Sequence, residues 1–320
     1  NQEASTILVD APSPGAVIVR KNAIVMLSDL ILQDYIKWRG LLFFRFLAAT
    51  ADQDEQVSLL AQLKLCGPLL TKQPNLFYSN FVEAFFVLNQ CSAHPIYTAA
   101  ANAGGGGDDD LPFTAGPASG ELGRLARMQM YEIMISHLSD QNKIEVTARI
   151  TDVILKGALV EGSDLYKATK SDSSSAALND RYLESARNVL RDALAVLQSP
   201  ALRVKSSKEH QQENHDLEDA NVLPCPQKKN AHAMANLLTN INRKQMMERI
   251  VPIACQLKAL LSQQQSPLLK DLMAFLVDLY ERYQEHFEEG LANNPELLAE
   301  ITYDAKQYQK QRRATPSAAQ

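Results

Sequence analysis

The sequence predicts an all-α chain: an α-solenoid of stacked antiparallel helix pairs, interrupted by long disordered loop insertions. Three observations carry this. Apolar residues return every three or four positions along about ten successive segments, the spacing of helices that each bury one face. Only 13 glycines punctuate 320 residues, and no stretch alternates β-branched with polar residues as a strand would. Long polar insertions leave the periodicity on either side intact, which suits an array whose pairs contact only their neighbours. A globin-like ball is the competing all-α packing.

The first helix is expected from about Ala16 to Tyr35, with Ile24, Leu27, Ile31 and Tyr35 on one face. Gly40 punctuates, and a second helix carries Leu42, Phe43, Phe46 and Leu47. A third, from about Asp54 to Lys72, would bury Leu59, Leu60, Leu63 and Cys66 before Pro68 bends or stops it. Pro74 and Asn75 open a fourth, with Phe77, Phe81, Phe85 and Leu88 in helical register. Residues 92–120 then change character: Gly104 to Gly107 and Asp108 to Asp110 cannot bury enough apolar surface to offset ordering entropy. A phosphate cradle there would need a preceding strand and a following Lys-Ser/Thr, and three aspartates would repel a phosphate.

Helices resume at Glu121 to His137, with Leu122, Leu125, Met128, Ile133 and Ile135 apolar. Ser139 or Asp140 can cap the next, which places Val146, Ile150, Val153, Ile154 and Ala158 on one side. A Ser/Lys-rich connector spans Gly162 to Ala177, and a helix from Asn179 to Gln198 repeats Leu183, Ala186, Leu190, Ala193 and Leu197. After a polar stretch to Gln227, one helix covers about Lys228 to Asn242. Another carries Met247, Ile250, Ile253, Leu257, Leu260 and Leu261, kinked by Pro252. Ser266-Pro267 reads as a cap with proline at the first helical position, opening a helix through Leu272, Leu276, Leu279 and Phe287. Asn294-Pro295 starts the last. The helical blocks are thus 16–91, 121–198 and 228–313, separated by a low-complexity loop 92–120 and a polar loop 199–227, with a tail 314–320.

A net charge of −5 argues against a surface that traps nucleic acid everywhere, although it leaves room for a local basic patch. No apolar run reaches about 18 residues, so no membrane span is expected. The start NQEAST lacks both an initiator Met and a secretory apolar region, and reads as a cut inside a longer protein. Cys66, Cys91, Cys225 and Cys255 form no CxxC pair; three of them sit in apolar helical patterns, as buried reduced thiols of a cytosolic or nuclear protein do. His210, His215, Cys225 and His232 match no zinc module. Glu281, Glu285, Glu288 and Glu289 beside Arg282 and His286 read as a solvated helix face rather than a catalytic pair. No nucleophile elbow or His-Glu-x-x-His is present. Neither a catalytic residue, a cofactor, a metal nor a small-molecule substrate is expected.

Two features go further. VRKNAIVMLSDL, with Val19-Arg20, Ala23, Leu27 and Leu30, has the layout of an inner HEAT-repeat helix: small Ala where helices approach, Leu on the core seam, Arg at the turn. With KWRGLLFFRFL (Lys37 to Leu47), PNLFYSNFVEAFFVLN, RMQMYEIMISHLSDQNKIEVTARI, RKQMMERIVPIACQLKALL and ITYDAKQYQKQ, the chain resembles the D-type HEAT-repeat subunits of condensin II over about two thirds of its length. Trp38, Phe43-Phe44, Pro252 and Tyr303-Asp304 are among the shared unusual residues. The Gly/Asp insertion and the Ser-rich connector depart from the pattern and suggest a divergent lineage. The resemblance implies a late portion of a HEAT array in a non-catalytic regulatory subunit of a chromosome-organising complex in the nucleus. It also implies its partners: a kleisin chain, an SMC ATPase pair and a second HEAT subunit. A generic HEAT adaptor, of the transport-receptor or phosphatase-scaffold type, is the alternative.

Arg20, Lys21, Lys37, Arg39 and Arg45 cluster around the first helix pair, and together could neutralise several DNA phosphates. Ordinary surface charge with one structural HEAT arginine is the competing reading. Lys306, Lys310, Arg312 and Arg313 form a second basic group. Among Ser13-Pro14, Ser199-Pro200, Ser266-Pro267 and Thr315-Pro316, Thr315 is the candidate phosphorylation site, because it follows two arginines in the tail.

Overall fold

The computed structural model describes residues 14–38, 42–91, 121–170, 177–204, 226–290, 295–296, 298–299, 301–303 and 306–307. Among these every regular element is helical. The helices are α1 (Pro14–Leu32), α2 (Leu42–Ala49), α3 (Glu55–Lys64), α4 (Leu76–Leu88), α5 (Glu121–Ser136), α6 (Asp140–Ile150), α7 (Asp164–Thr169), α8 (Ala177–Gln198), α9 (Pro226–Gln245), α10 (Val251–Gln263) and α11 (Leu269–Gly290). The chain divides into two compact units, Asn1–Leu138 with Asp172–Ala193, and Ser139–Ser171 with Leu194–Gln320.

In the first unit, α1 and α3 lie side by side and point the same way, because their contacts rise in step. Arg20 meets Asp52 just before α3, Lys64 meets Asp29, and Lys72 meets Asp34. Asp54 caps α3 by accepting from the backbone N–H of Gln56 and Val57. The α4 to α5 contacts descend instead: Phe77 packs on His137 and Phe85 on Tyr131, so these two run antiparallel. Same-direction neighbours two elements apart and antiparallel neighbours next in sequence are what stacked helix pairs produce. The core is aromatic. Phe43, Phe44, Phe46, Phe77, Phe81, Phe85 and Tyr131 are all buried, and Trp38 sets its edge against Phe43 and Phe46. Each fully buried aromatic of this kind contributes about 1.5–3 kcal/mol.

The second unit repeats the arrangement. Gln245 Nε2 donates to the carbonyl of Ile144 at 3.1 Å and Arg249 pairs with Asp152 at 2.5 Å, so α6 and the α9–α10 rod run the same way. The α10 and α11 helices pack as a pair, and Asn242 on α9 reaches the hydroxyl of Tyr283 on α11. Gly157 packs closely here, since a Cβ would sit 3.2 Å from Leu165 Cδ1 and the leucine side chain would have to give by a few tenths of an ångström.

Several expectations are corrected. The first helix ends at Leu32, and Tyr35 lies beyond it, exposed. On α3 the buried stripe is Val57, Ala61 and then Leu65 and Leu69, whereas Leu59 and Leu63 face solvent. The helix does not stop at Pro68; it opens into a π-turn, Leu65–Leu69, that accommodates the ring. Leu125 and Val153 are likewise exposed. The Ser/Lys-rich connector contains α7, capped by Ser163 and anchored by buried Leu165 and Ala168. The two helices expected around Asn242 and Met247 join through a π-turn, Met246–Ile250, just ahead of Pro252. Ser266 is not a cap: its hydroxyl is buried without a partner and α11 begins at Leu269. Cys91 is buried as expected, whereas Cys66 and Cys255 are half-buried. Phe77, Phe81, Phe85, Leu88 and the Ser139 cap stand as read.

Candidate functional site

The structure treats the five basic residues of the first helices differently. Arg20 turns into the first unit, with Nε 2.9 Å from Asp52 and only 8% of its side chain exposed, so its charge is neutralised inside the fold. Lys21 on α1 bonds the side-chain oxygen of Gln56. Lys37 is exposed in the loop after α1. Arg45 on α2 is half-buried, and burial lowers its guanidinium pKa from the ordinary value. Arg39 lies outside the described residues, as do Lys310, Arg312, Arg313 and Thr315; Lys306 is exposed. Of the histidine and cysteine group, His210, His215 and Cys225 lie outside the described residues, and His232 falls on α9. Among the described residues no three His, Cys, Asp or Glu side chains could hold a metal ion, and no helix is long and apolar enough to cross a membrane.

The densest polar constellation lies elsewhere, inside the first unit. Asp192 on α8 is completely buried. Its Oδ2 accepts from Arg127 Nε at 2.6 Å, from Asn89 Nδ2 at 2.9 Å and from the Tyr131 hydroxyl at 3.3 Å. Arg127 Nη2 adds a longer bond to Oδ1 at 3.3 Å. Asn89 Nδ2 also donates to the carbonyl of Phe85, tying the end of α4 to the same point. Burial alone would lower the Arg127 pKa, but the hydrogen bond and charge of Asp192 outweigh it and hold the guanidinium above its usual value. Burial, then the Asp192 carboxylate, push the Tyr131 phenol well up.

Chemically this node is shut. All four residues are buried, so no substrate can approach the carboxylate, and the arrangement fixes the register of α4, α5 and α8. The sequence carries a signal for it that the apolar pattern alone passes over. Asp192 stands three residues after buried Val189 and four before buried Val196, and a carboxylate on a core stripe demands a partner.

A second polar point lies in the second unit, on the α11 face read from sequence as solvated. Glu281 is exposed there. Arg282 instead pairs with Asp278 and donates to the last carbonyls of α8, at 3.2 Å to Gln198 and 3.5 Å to Leu197. Basic groups at a helix C-terminus satisfy orphan carbonyls and complement the dipole. Burial and then neighbouring Arg203 lower the Arg282 pKa to about 10.

Polar groups used for packing and capping fit a scaffold, and comparison with known proteins gives the lineage. Residues 15–109 match the family model of the non-SMC mitotic condensation complex subunit 1, and residues 201–317 match that of Condensin-2 complex subunit D3-like HEAT repeats. The Condensin-2 complex subunit CAP-D3 of Arabidopsis thaliana is 30% identical over 292 residues, which is 91% of this chain and 20% of that protein.

The chain belongs to the D3-type HEAT-repeat family.

Condensin-2 complex subunit D3 of Mus musculus is 26% identical across 96% of the chain and 19% of its own length. The Xenopus laevis subunit D3-L is 26% identical across 92% of the chain and 18% of its own length. The chain therefore spans about a fifth of the length of these D3-type relatives. No solved structure matches it. The HEAT expectation is met, and Arg20, read from the sequence as a turn arginine, is paired with Asp52.

Proposed function

We propose that the chain is part of a non-catalytic regulatory scaffold of condensin II, acting on chromosomes in the nucleus during mitotic condensation. The observation that supports this most directly is the likeness to D3 subunits over nine tenths of the chain. The helical build adds to it: the polar chemistry described above is spent on holding helices together. In this reading the scaffold holds a kleisin chain, which bridges an SMC ATPase pair, and works beside a second HEAT subunit. The ATPase activity resides in those partners. Purification of the full-length protein from mitotic cells tests this. Kleisin and SMC chains should come with it; recovery of transport cargo or phosphatase subunits in their place would establish the generic adaptor reading and overturn this one.

DNA contact through the first helix pair belongs to the same proposal, carried by exposed Lys37 with Arg39 and Arg45, since Arg20 is committed to Asp52. Duplex affinity measured against salt, for the chain and its Lys37/Arg39/Arg45 triple alanine, decides it: each lost phosphate contact flattens the log–log slope by about 0.9, and identical slopes sink the patch. Phosphorylation of Thr315 would place negative charge beside Arg312 and Arg313 and switch a contact there. Phosphate mapping of mitotic material reads this out, and an unmodified Thr315 overturns it.

A further inference from the structure

In the second unit two π-turns lie on neighbouring rods that run the same way. The first, Thr151–Leu155, continues α6, and Lys156 N–H bonds back five residues to the Thr151 carbonyl at 2.8 Å. The second, Met246–Ile250, joins α9 to α10, with Val251 N–H bonding the Met246 carbonyl. Each has a local cause. Thr147 and Thr151 hydroxyls donate to the carbonyls four residues back, at 2.8 and 2.9 Å, competing with the α-helical ladder. Pro252 has no N–H to give, and its ring would clash with the Glu248 carbonyl in an unbroken α-helix; the extra residue of the π-turn relieves this. The two turns are joined by one ion pair, Arg249–Asp152 at 2.5 Å, with side chains 50% and 35% exposed.

A rod bends most easily where its i to i−4 ladder is already broken. The break at Leu65–Leu69 in the first unit lies against unbroken α1 and has no second break to open with it. In the second unit two neighbouring rods each carry a break, and each break contributes one member of the Arg249–Asp152 pair. From this we infer that Thr151–Leu155 and Met246–Ile250 form a hinge across the second unit, and that the half-exposed Arg249–Asp152 pair is its latch. Opening the latch frees both turns together, so load applied at one end of the rods is taken up here and the helices on either side keep their packing.

Hydrogen exchange followed by mass spectrometry on the full chain tests the inference. Arg249→Gln should speed amide exchange in 147–156 and 246–252 together, by about fivefold or less, as expected of a half-exposed pair. Asp152→Asn, which alters the other rod, should give the same two-segment pattern. The R249E/D152R exchange should restore protection, and added salt should mimic the single variants in the parent chain and in the exchanged pair while adding little to the single variants. Segment 65–69 should not change. A response confined to the segment carrying the substitution, an even rise across the whole unit, or no response overturns the hinge.

Discussion

The carboxylate of Asp192 and the guanidinium of Arg127 meet at 2.6 Å with 0% and 5% of their side chains exposed. A pair so desolvated contributes little net attraction, yet losing one partner strands the other's charge in the core. Asp192→Ala should therefore destabilise the chain by about 3–5 kcal/mol, measured by denaturant unfolding. The double substitution Arg127→Met/Asp192→Leu should recover most of that loss. Asn89 and Tyr131 would still lose the Asp192 acceptor, leaving Asn89 with the Phe85 carbonyl, so recovery stays incomplete. A double variant as unstable as the single one would show that the node acts through something other than charge burial.

Tyr131 gives the node a signature in alkali. Its phenol is held well above the ordinary value of 10.0 in the folded chain, whereas an unfolded tyrosine releases its proton near that value. Above about pH 10 the unfolded chain binds fewer protons than the folded one, so stability must fall as pH rises. Below that both states keep the proton and this group adds no slope. Tyr131→Phe removes its share of the alkaline slope and costs about 1 kcal/mol at neutral pH for the lost hydrogen bond. Unfolding curves between neutral pH and pH 11 read both, and an unchanged slope in the variant counts against the assignment. Tyr283, also raised by burial, supplies a remainder that the variant keeps.

How far the sequence reaches follows from what its periodicity encodes. Phe77, Phe81 and Phe85 recur every four residues on a helix with few polar positions, so their burial is readable directly. On α3 two stripes compete. Leu59 and Leu63 are the larger residues, but the packing against α1 takes Val57 and Ala61, because a close helix approach favours small side chains. Ser266-Pro267 carries the letters of a cap, yet after the positive φ at Gln265 the hydroxyl lies buried without a partner, and the Ser266 carbonyl instead accepts from the Leu269 N–H at 3.1 Å. The polar node escapes because Asn89, Arg127 and Asp192 are separated by up to 103 positions, and only the tertiary fold brings them together.

That same Gln265 allows a gain in stability. It adopts φ +51° at the end of α10, the left-handed position where helices favour glycine. Gln265→Gly removes the steric cost of a Cβ there and adds flexibility to the unfolded chain, leaving about 0.5–1 kcal/mol in favour of folding. A lower melting temperature in the variant would mean that the glutamine side chain contributes more than its backbone costs. Asp34, at φ +62° after α1, should not show this gain, because it also meets Lys72 at 2.6 Å.

Lys72 is the other half of that arrangement, and the division of labour can be measured. Its ammonium donates to the carbonyls of Ile31 and Leu32, each at 2.9 Å, as well as meeting Asp34. The Ile31 carbonyl also accepts from the Asp34 N–H at 3.1 Å, so Lys72 adds a second bond there and supplies a donor to the Leu32 carbonyl at the end of α1. Asp34, by contrast, is largely exposed, and an exposed carboxylate adds only a few tenths of a kcal/mol to about 1. Lys72→Met keeps the aliphatic stem but removes both carbonyl bonds, and should cost about 1–2 kcal/mol. Asp34→Asn keeps them and should cost less than half as much. Added salt should narrow the small Asp34 effect and leave most of the Lys72 effect, because screening weakens ion pairs far more than hydrogen bonds to carbonyls. Equal costs for the two variants would mean that the ion pair, rather than the cap, holds the end of α1 to the close of the α3 rod.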